Sequence, residues 1–306
     1  MTQLNIIFLG TSGSWPTVKR NVTSIALKRG SEVLLFDCGE GTQRQFQKSK
    51  LSYMQVSKIF ITHFHGDHFL GLPGLIQTMQ LNDRSKPLHV YGPKGMVKLM
   101  QQLLSLGFFK PGYKIVAHEL ADGEVLDFEE YKIKIINAKH GVPAIAYSFE
   151  EKMRPGRFNK SKALKMGIPE GPFFSQLQHG KTITLKDGRK IKPSMVLGPP
   201  RKGRKIVISG DTKPFDKMIE FSKDADVLIH DATFESSMQD IAGDYGHATA
   251  FQAAEIAKKA EVNKLYLTHI SPRYLDKSVL EDDARKIFKN SYVAKDFQEI
   301  EVNLKK

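Results

Sequence analysis

The chain has 306 residues, 41% hydrophobic and 26% charged, a balance that is typical of globular proteins and excludes a disordered chain. Its one cysteine, Cys38, excludes an internal disulfide and favours a reducing compartment. The net charge of +13 is unevenly distributed: the segment from Glu151 to Ile206 has 15 basic and 3 acidic residues, whereas the rest of the chain has 31 and 30.

The distribution of apolar residues along the sequence does not indicate a membrane protein. No apolar stretch approaches the roughly 18 residues that a membrane helix needs, and the N-terminal residues lack a basic start and have an apolar core too short for a signal peptide. We therefore expect a cytoplasmic protein without a membrane partner. The concentrated basic segment predicts contact with a polyanion, and a solvated insertion without a partner is the alternative.

In chain order, short apolar runs that predict buried strands alternate with amphipathic segments that predict helices. The predicted strands are LNIIFLG (4–10), EVLLFDCG (32–39), KIFITH (58–63), YKIKIINAKH (131–140), KIVISGD (205–211), DVLIHD (226–231) and KLYLTH (264–269). The predicted helices include PKGMVKLMQQLLSLG (93–107) and TAFQAAEIAKKAEV (249–262). The alternation indicates an α/β architecture. Residues 151–204, dense in Pro, Gly, Lys and Arg, are expected to lie outside its main core.

A group of metal-competent side chains follows the third predicted strand. The stretch KIFITHFHGDH (58–68) contains four of them within six positions, His63, His65, Asp67 and His68. Imidazole nitrogens and carboxylate oxygens are the ligands that zinc and similar ions take where no thiolate is present. Because each catalytic ion needs about three protein ligands, two ions require more than this group supplies. Other predicted strand ends can provide the rest, at His140, Asp211 and His269.

THFHGDH resembles the signature of the metallo-β-lactamase superfamily, and within it the whole chain resembles the ribonuclease Z family. The likeness is carried by FLGTSGSWPTVKRN, FDCGEGTQRQ, HGVPAIAY, GIPEGP, SGDT, HDATF, GHATA and THISPRY. The resemblance implies a four-layer αββα metallo-β-lactamase sandwich, formed by residues 1–150 and 205–306. It implies that residues 151–204 are an inserted, projecting basic arm that binds RNA as an exosite.

The resemblance also implies an activity, a zinc-dependent endoribonuclease that removes the 3′ trailer of precursor transfer RNA. The products would be transfer RNA with a 3′ hydroxyl and a trailer with a 5′ phosphate. Two Zn²⁺ per subunit are expected, with Mn²⁺ or Co²⁺ as substitutes. By position, one ion would take His63, His65 and His140, the other would take Asp67, His68 and His269, and Asp211 would bridge them.

The remaining roles follow from the same resemblance. Asp67 would accept a proton from the attacking water, His247 would protonate the leaving oxygen, and Asp231 would orient His247. The expected RNA-binding residues are Arg20, Asn21, Gly167, Pro169, Gly171, Pro172 and Arg273. Family members are typically homodimers in which the arm of one subunit clamps RNA at the active site of the other.

The sequence departs from the common family pattern at three positions. Val18 stands where a lysine is usual, Asp231 where a glutamate is usual, and Ala248 where a serine is usual. Two other functions stay open at this point. One is a hydrolase of the same fold that acts on small phosphodiesters or sulfate esters, and the other is a non-catalytic RNA-binding module.

Overall fold

The computed structural model describes residues 2–276 and 278–305. The strands are β1 (Leu4–Gly10), β2 (Ser24–Arg29), β3 (Glu32–Phe36), β4 (Val56–Phe60), β5 (Leu88–Gly92), β6 (Ile115–Glu119), β7 (Val125–Asp127), β8 (Tyr131–Asn137), β9 (Ile145–Glu151), β10 (Ile183–Thr184), β11 (Lys190–Ile191), β12 (Lys205–Ile208), β13 (Val227–Asp231), β14 (Leu265–Thr268), β15 (Ser291–Val293) and β16 (Glu299–Glu301). The α-helices are α1 (Thr42–Lys48), α2 (Gly66–Phe69), α3 (Leu72–Leu81), α4 (Met96–Leu104), α5 (Lys160–Lys165), α6 (Pro172–Gln178), α7 (Asp216–Ser222), α8 (Gln239–Asp244), α9 (Ala250–Lys259) and α10 (Ser278–Arg285).

Two seven-stranded sheets form the larger of two compact units, which comprises residues up to Phe128, Lys132–Glu150 and Lys205–Asn303. The first sheet has the order β16-β1-β2-β3-β4-β5-β6, and the second has the order β15-β14-β13-β12-β9-β8-β7. Each contains a run of parallel strands, β3 to β6 in the first and β12 to β15 in the second. Parallel strands have their carboxyl ends at one edge, where loops can bring distant residues together.

Helices cover the outer face of each sheet, and the inner faces contact each other. Residues of α3 and α4 pack with β1, β3, β4 and β5 in one apolar core, and residues of α9 and α10 pack with β12, β13 and β14 in another. Between the sheets, the ring of Phe36 lies 5.7 Å from that of Tyr147, and Phe8 lies 5.7 Å from Tyr266. The predicted α/β architecture of four layers is therefore confirmed.

The local signals explain most element bounds. Strands β13 and β14 are buried on both faces and accordingly have nearly continuous apolar sequences. Helix α9 begins after Thr249, whose hydroxyl accepts the Gln252 N–H while the Gln252 side chain accepts the Thr249 N–H. Helix α4 begins three residues later than predicted, because Gly95 has a φ of 101°, outside the helical region.

The smaller unit contains residues 129–131, 151–204 and the C-terminal residues from Leu304. We call residues 151–204 the basic insertion. It has its own small core, formed by the buried residues Ala163, Ile168, Leu177, Ile183, Leu185, Ile191 and Val196. At its two ends, Arg204 donates to Glu151 from Nε at 2.8 Å and from Nη2 at 2.7 Å, and both side chains are buried. The insertion is therefore folded around apolar residues that its many charges obscure in the sequence.

Within residues 2–276 and 278–305, none of the helices combines the length and the apolar character needed to cross a bilayer.

Candidate metal centre

The residues predicted to bind metal, and Asp231, lie at or beyond the carboxyl ends of strands from both sheets. His63 follows β4, Asp211 follows β12, Asp231 ends β13 and His269 follows β14. His140 lies three residues beyond β8, and the short helix α2 carries Asp67 and His68. Positions more than 200 residues apart are joined directly, because the His269 Nε2 lies 3.2 Å from the Asp67 Oδ2. The strand ends thus provide a rigid edge on which the site is assembled.

The side chains form three overlapping groups, in each of which the nitrogen and oxygen atoms lie within 4.8 Å of one another. The groups are His63, His65, His140 and Asp211; Asp67, His68 and His269; and Asp211, His247 and His269. The first two groups contain all seven residues predicted as ligands. The third was not predicted, and it places the expected proton donor next to the ligand set.

Asp211 lies at the centre of the cluster. Its Oδ2 is 3.5 Å from His63 Nε2, 3.2 Å from His68 Nε2 and 3.2 Å from His269 Nε2. The side chain is only 3% exposed, so its charge is screened by neighbouring groups and not by water. One carboxylate oxygen therefore faces ligands from both of the predicted sets.

Four imidazoles use Nδ1 for hydrogen bonds that point away from the cluster, and this leaves Nε2 directed inward. The Nδ1 partners are Thr62 Oγ1 at 3.0 Å for His63, Asp37 Oδ2 at 2.8 Å for His68, Gly246 O at 2.8 Å for His140 and Thr233 Oγ1 at 2.9 Å for His269. Among the described residues, His63 Nε2 and His68 Nε2 are buried without a hydrogen-bond partner. Buried polar atoms normally have partners, and metal-bound histidines usually bond outward through the second nitrogen. The residues present fit a divalent-cation centre.

The charges in the cluster support the same conclusion. Burial opposes ionisation of Asp67, but the hydrogen bond from His269 and the charge of His68 outweigh it and lower the Asp67 pKa. For Asp211, burial is likewise outweighed by the neighbouring histidines, which hold its pKa well below the usual value. Burial and the charge of His68 lower the pKa of His63 well below its usual value. Burial lowers the pKa of His68, but Asp211 and Asp37 outweigh it and raise that pKa well above its usual value. The two ionised carboxylates and the neutral His63 are in the forms that bind a cation, and His68 would release a proton when an ion binds.

His247 and Asp231 form a hydrogen-bonded pair beside the cluster. His247 Nδ1 lies 2.8 Å from Asp231 Oδ2, and the Asp231 side chain is fully buried. Burial alone would lower the pKa of His247, but the charge of Asp231 and this hydrogen bond raise it to about 9. The imidazole is therefore protonated at neutral pH. Although Asp231 is one methylene shorter than the usual glutamate, it reaches His247.

Two residues of the site were missed by the sequence reasoning. Asp37 follows β3 with a φ of 57° and is bonded to His68, to the Thr62 N–H at 2.7 Å and to the Thr62 hydroxyl at 2.9 Å. Its signal was available, because Asp37 follows a buried strand in the same way as Asp211. Thr233 contacts both Asp231 and His269, and only the tertiary structure shows that these residues meet.

The structure places the two predicted RNA contacts of the loop 16–21 in internal roles. Arg20 is only 6% exposed, and its Nη1 donates to Ala294 O at 2.9 Å. The Asn21 N–H donates to Asp296 Oδ2 at 2.7 Å, and Asn21 Nδ2 donates to Glu40 O at 2.8 Å. These bonds hold the loop against the C-terminal segment. Val18, in contrast, is fully exposed at its tip.

The other predicted RNA contacts are exposed. In the basic insertion, Gly167 and Gly171 have φ values of 77° and 117°, which a glycine adopts without strain. Gly167, Pro169, Gly171 and Pro172 all lie on the surface. Arg273 is also exposed, and its guanidinium lies 4.9 Å from the centre of the Phe234 ring.

Comparisons with known proteins agree with this architecture. Residues 4–153 match the family model described as anti-Pycsar protein Apyc1, and residues 172–270 match the beta-lactamase superfamily domain. A metallo-beta-lactamase fold protein from Bacillus subtilis, YhfI, superimposes with a TM-score of 0.72 over 98% of this chain and all of its own, at 18% identity. The predicted metallo-β-lactamase fold is thereby confirmed.

Two further proteins match over nearly the whole chain. The structure of the short form of human tRNase Z has a TM-score of 0.72 and 30% identity, covering 98% of this chain and 100% of that one. The ribonuclease Z of Methanosarcina acetivorans is 46% identical over 301 residues, 98% of each chain. An identity this high over the full length leaves no large region of the fold without a counterpart. The chain therefore belongs to the ribonuclease Z family.

Proposed function

We propose that this protein is an endoribonuclease that removes the 3′ trailer from precursor transfer RNA. It leaves a 3′ hydroxyl on the transfer RNA and a 5′ phosphate on the trailer. The observation that carries the proposal is the meeting of seven ligand-type side chains and the His247–Asp231 pair at one edge of the sandwich. Membership of the ribonuclease Z family narrows the substrate to which this chemistry is applied.

The metal centre would hold two divalent cations, with Zn²⁺ as the expected ion and Mn²⁺ or Co²⁺ as substitutes. His63, His65 and His140 would hold one ion, Asp67, His68 and His269 would hold the other, and Asp211 would contribute to both. The inward Nε2 atoms of His63 and His68 and the central position of Asp211 Oδ2 support this division. When bound, such a pair of ions neutralises charge on phosphate oxygens and acidifies water.

Two side chains of the protein, Asp67 and His247, carry out the two proton transfers. Asp67 is ionised at neutral pH and is held by the Ser14 N–H, which donates to its Oδ2 at 2.7 Å, so it is placed to take the proton of the attacking water. His247 is protonated at neutral pH and donates its proton to the leaving 3′ oxygen of the ribose, a poor leaving group without it. Asp231 keeps His247 protonated and oriented.

The basic insertion binds the folded RNA by its phosphates. Its charged side chains are mostly exposed, as are Gly167, Pro169, Gly171 and Pro172. Phosphate contacts give affinity without reading bases, which suits an enzyme whose substrates share a shape and differ in sequence. Arg273 contacts a phosphate near the cleavage site. Arg20 and Asn21 stabilise the loop 16–21, which contacts the RNA, and their own buried atoms do not contact it.

The protein acts in the cytoplasm as a homodimer, with the insertion of one subunit serving the active site of the other. The family resemblance supports this assembly, and the single buried cysteine supports a reducing compartment. Sedimentation analysis is expected to give twice the monomer mass of 34.5 kDa. A monomeric interface variant that processes precursor at the normal rate would refute the shared arrangement.

The decisive experiment is cleavage of a 3′-extended precursor transfer RNA with the product ends mapped. Wild-type protein is compared with His65→Ala and with a variant in which residues 151–204 are replaced by a short linker. We expect cleavage at the trailer junction only when both His65 and the insertion are present. A wild type that carries metal and hydrolyses small diesters but leaves the precursor intact would favour a hydrolase of small phosphodiesters or sulfate esters.

A further inference from the structure

The Thr233 hydroxyl connects the proton donor to the metal centre. Its Oγ1 lies 2.6 Å from Asp231 Oδ1 on one side and 2.9 Å from His269 Nδ1 on the other. The Thr233 N–H also donates to Asp231 Oδ1, at 3.0 Å. Because Asp231 Oδ2 bonds to His247, a continuous chain of hydrogen bonds runs from His247 through Asp231 and Thr233 to His269.

The direction of each bond in this chain is determined by counting protons. An ionised carboxylate only accepts, so the single hydroxyl proton of Thr233 is donated to Asp231. Thr233 Oγ1 can then only accept from His269, which requires a proton on His269 Nδ1. In the neutral ring that can bind a cation, the lone pair is then on Nε2, which lies 3.2 Å from both Asp67 Oδ2 and Asp211 Oδ2. The charge of Asp231 therefore selects the tautomer of His269 through one hydroxyl group.

The surroundings of His269 restrict its ring on several sides, and the Thr233 hydroxyl is the hydrogen-bond partner of Nδ1. The residue has a φ of 58° and is 2% exposed, so its backbone and burial restrict the position of the imidazole. On one side Gly13 approaches so closely that an added Cβ would lie 2.6 Å from the ring. A change of tautomer would place the lone pair of Nδ1 against the Thr233 oxygen, whose one proton is donated to Asp231, and a buried hydrogen bond would be lost.

We propose that Thr233 is a positioning residue that couples the two halves of the site. It fixes His269 as a ligand of the second ion, and it orients the Asp231 carboxylate that holds His247. The inference rests on the metal centre of the proposed function but not on its RNA substrate. Asp231 then orients the proton donor His247 through a direct hydrogen bond, and it orients the metal ligand His269 through Thr233.

The test uses Thr233→Val, which keeps the shape of the side chain and removes the hydroxyl, and Thr233→Ser, which restores the hydroxyl. Zn²⁺ affinity at each site is measured by competition with a chromophoric chelator on the full-length protein. We expect Thr233→Val to weaken one of the two Zn²⁺ sites about 10–100-fold and to leave the other unchanged, as loss of an outer hydrogen-bond partner does. Thr233→Ser is expected to bind both ions as the wild type does.

A second readout compares two diesters at saturating Zn²⁺. Bis(p-nitrophenyl) phosphate has a leaving group that needs no proton, whereas a dinucleotide has a ribose oxygen that does. We expect Thr233→Val to slow the dinucleotide reaction at least about 10-fold more than the aryl reaction. Misplacing His247 affects only the dinucleotide reaction, because only its leaving oxygen needs a proton. This difference, and its rescue in Thr233→Ser, would not arise from a general loosening of the fold.

Thr42→Val is the matched control, since Thr42 is a fully buried threonine whose hydroxyl donates to Gly39 O at 2.7 Å. It should change neither readout. If Thr233→Val fails to fold, Thr233→Ala replaces it. Wild-type Zn²⁺ affinity at both sites, or an equal loss with the two diesters, would overturn the proposal. Failure of the wild type to cut precursor transfer RNA would count only against the proposed substrate.

Discussion

In the metal cluster most side chains are buried and bonded to several partners, whereas in the basic insertion most charged side chains face solvent. Asp211, His63 and Asp231 are at most 2% exposed. In the insertion, Lys160 and its ion-pair partner Glu170 are 60% and 56% exposed. The first region is held by the two apolar cores of the sandwich, and the second by one small core of its own.

The difference reflects what each region has to do. Phosphodiester hydrolysis requires charges and protons at defined positions, and a buried network keeps them there without reorganisation. Binding the surface of a folded RNA requires many positive charges whose individual positions matter less. Loss of a residue assigned to the metal ions should therefore have a large effect on every substrate, while changes in the insertion should be graded and confined to RNA.

Asp211→Asn should have the largest effect. The substitution removes the charge that faces both ligand sets, and loss of several kcal/mol of transition-state stabilisation corresponds to at least about a 10⁴-fold fall in kcat/KM. The fall should be similar for precursor transfer RNA and for an aryl diester. Asp122→Asn, which removes an exposed carboxylate paired with Lys217, should leave both rates unchanged. Retention of aryl diester hydrolysis and two bound ions in Asp211→Asn would contradict the central role of this residue.

His247→Ala should separate the substrates by their leaving groups. Loss of a general acid should slow RNA cleavage about 10²–10⁴-fold and affect an aryl diester much less. Zinc content should stay at two ions, because His247 is bonded to Asp231 and not assigned as a ligand. A variant that loses one ion would instead identify His247 as a ligand with Asp211 and His269, in the third group of the cluster.

The sequence predicted the strand-end positions of the cluster residues better than their connections. An apolar strand followed by a histidine or carboxylate indicated Asp211 and His269, which lie at one edge because β12, β13 and β14 run parallel, and it indicated His63 after β4 of the other sheet. No local pattern could show that Thr233 meets His269, since this contact depends on the pairing of β13 with β14. Strands such as β2 and β5 were not singled out, because SIALKR and LHVYG mix apolar and polar residues.

The loop 16–21 and the insertion illustrate two further limits. A motif predicted that Arg20 and Asn21 contact RNA, and it gave no sign that the side chain of Asp296, 275 residues from Asn21, accepts the Asn21 N–H. In the insertion, the high content of charged residues, proline and glycine hid the short helices α5 and α6, each of which buries one apolar residue, Ala163 and Leu177. The contacts of the loop 16–21 depend on residues that are distant in the sequence. In the insertion, the low apolar content obscured the small core.

Leu177→Ala tests whether the insertion's small core is needed for RNA and for nothing else. Removing this fully buried side chain should destabilise the insertion by about 2–5 kcal/mol. Limited proteolysis should then cut within 151–204, and precursor cleavage should fall while aryl diester hydrolysis is unchanged. Leu164→Ala, an exposed leucine on α5, is the control and should have little effect. An equal loss with both substrates would show that the insertion supports the metal cluster as well.

Neutralising exposed lysines of the insertion should have the smallest effect and the clearest dependence on salt. Lys162, Lys165 and Lys186 are exposed, and their joint replacement by glutamine should lower the slope of log affinity against log salt by about 2–3 if all three contact phosphates. Replacing Lys98, Lys258 and Lys259 changes the net charge equally in the larger unit and is the matched control. Binding of precursor transfer RNA is measured at several salt concentrations. If both triple variants lower the slope of log affinity against log salt equally, RNA binding depends on net charge alone. That result would contradict the proposal that the insertion is the RNA-binding surface.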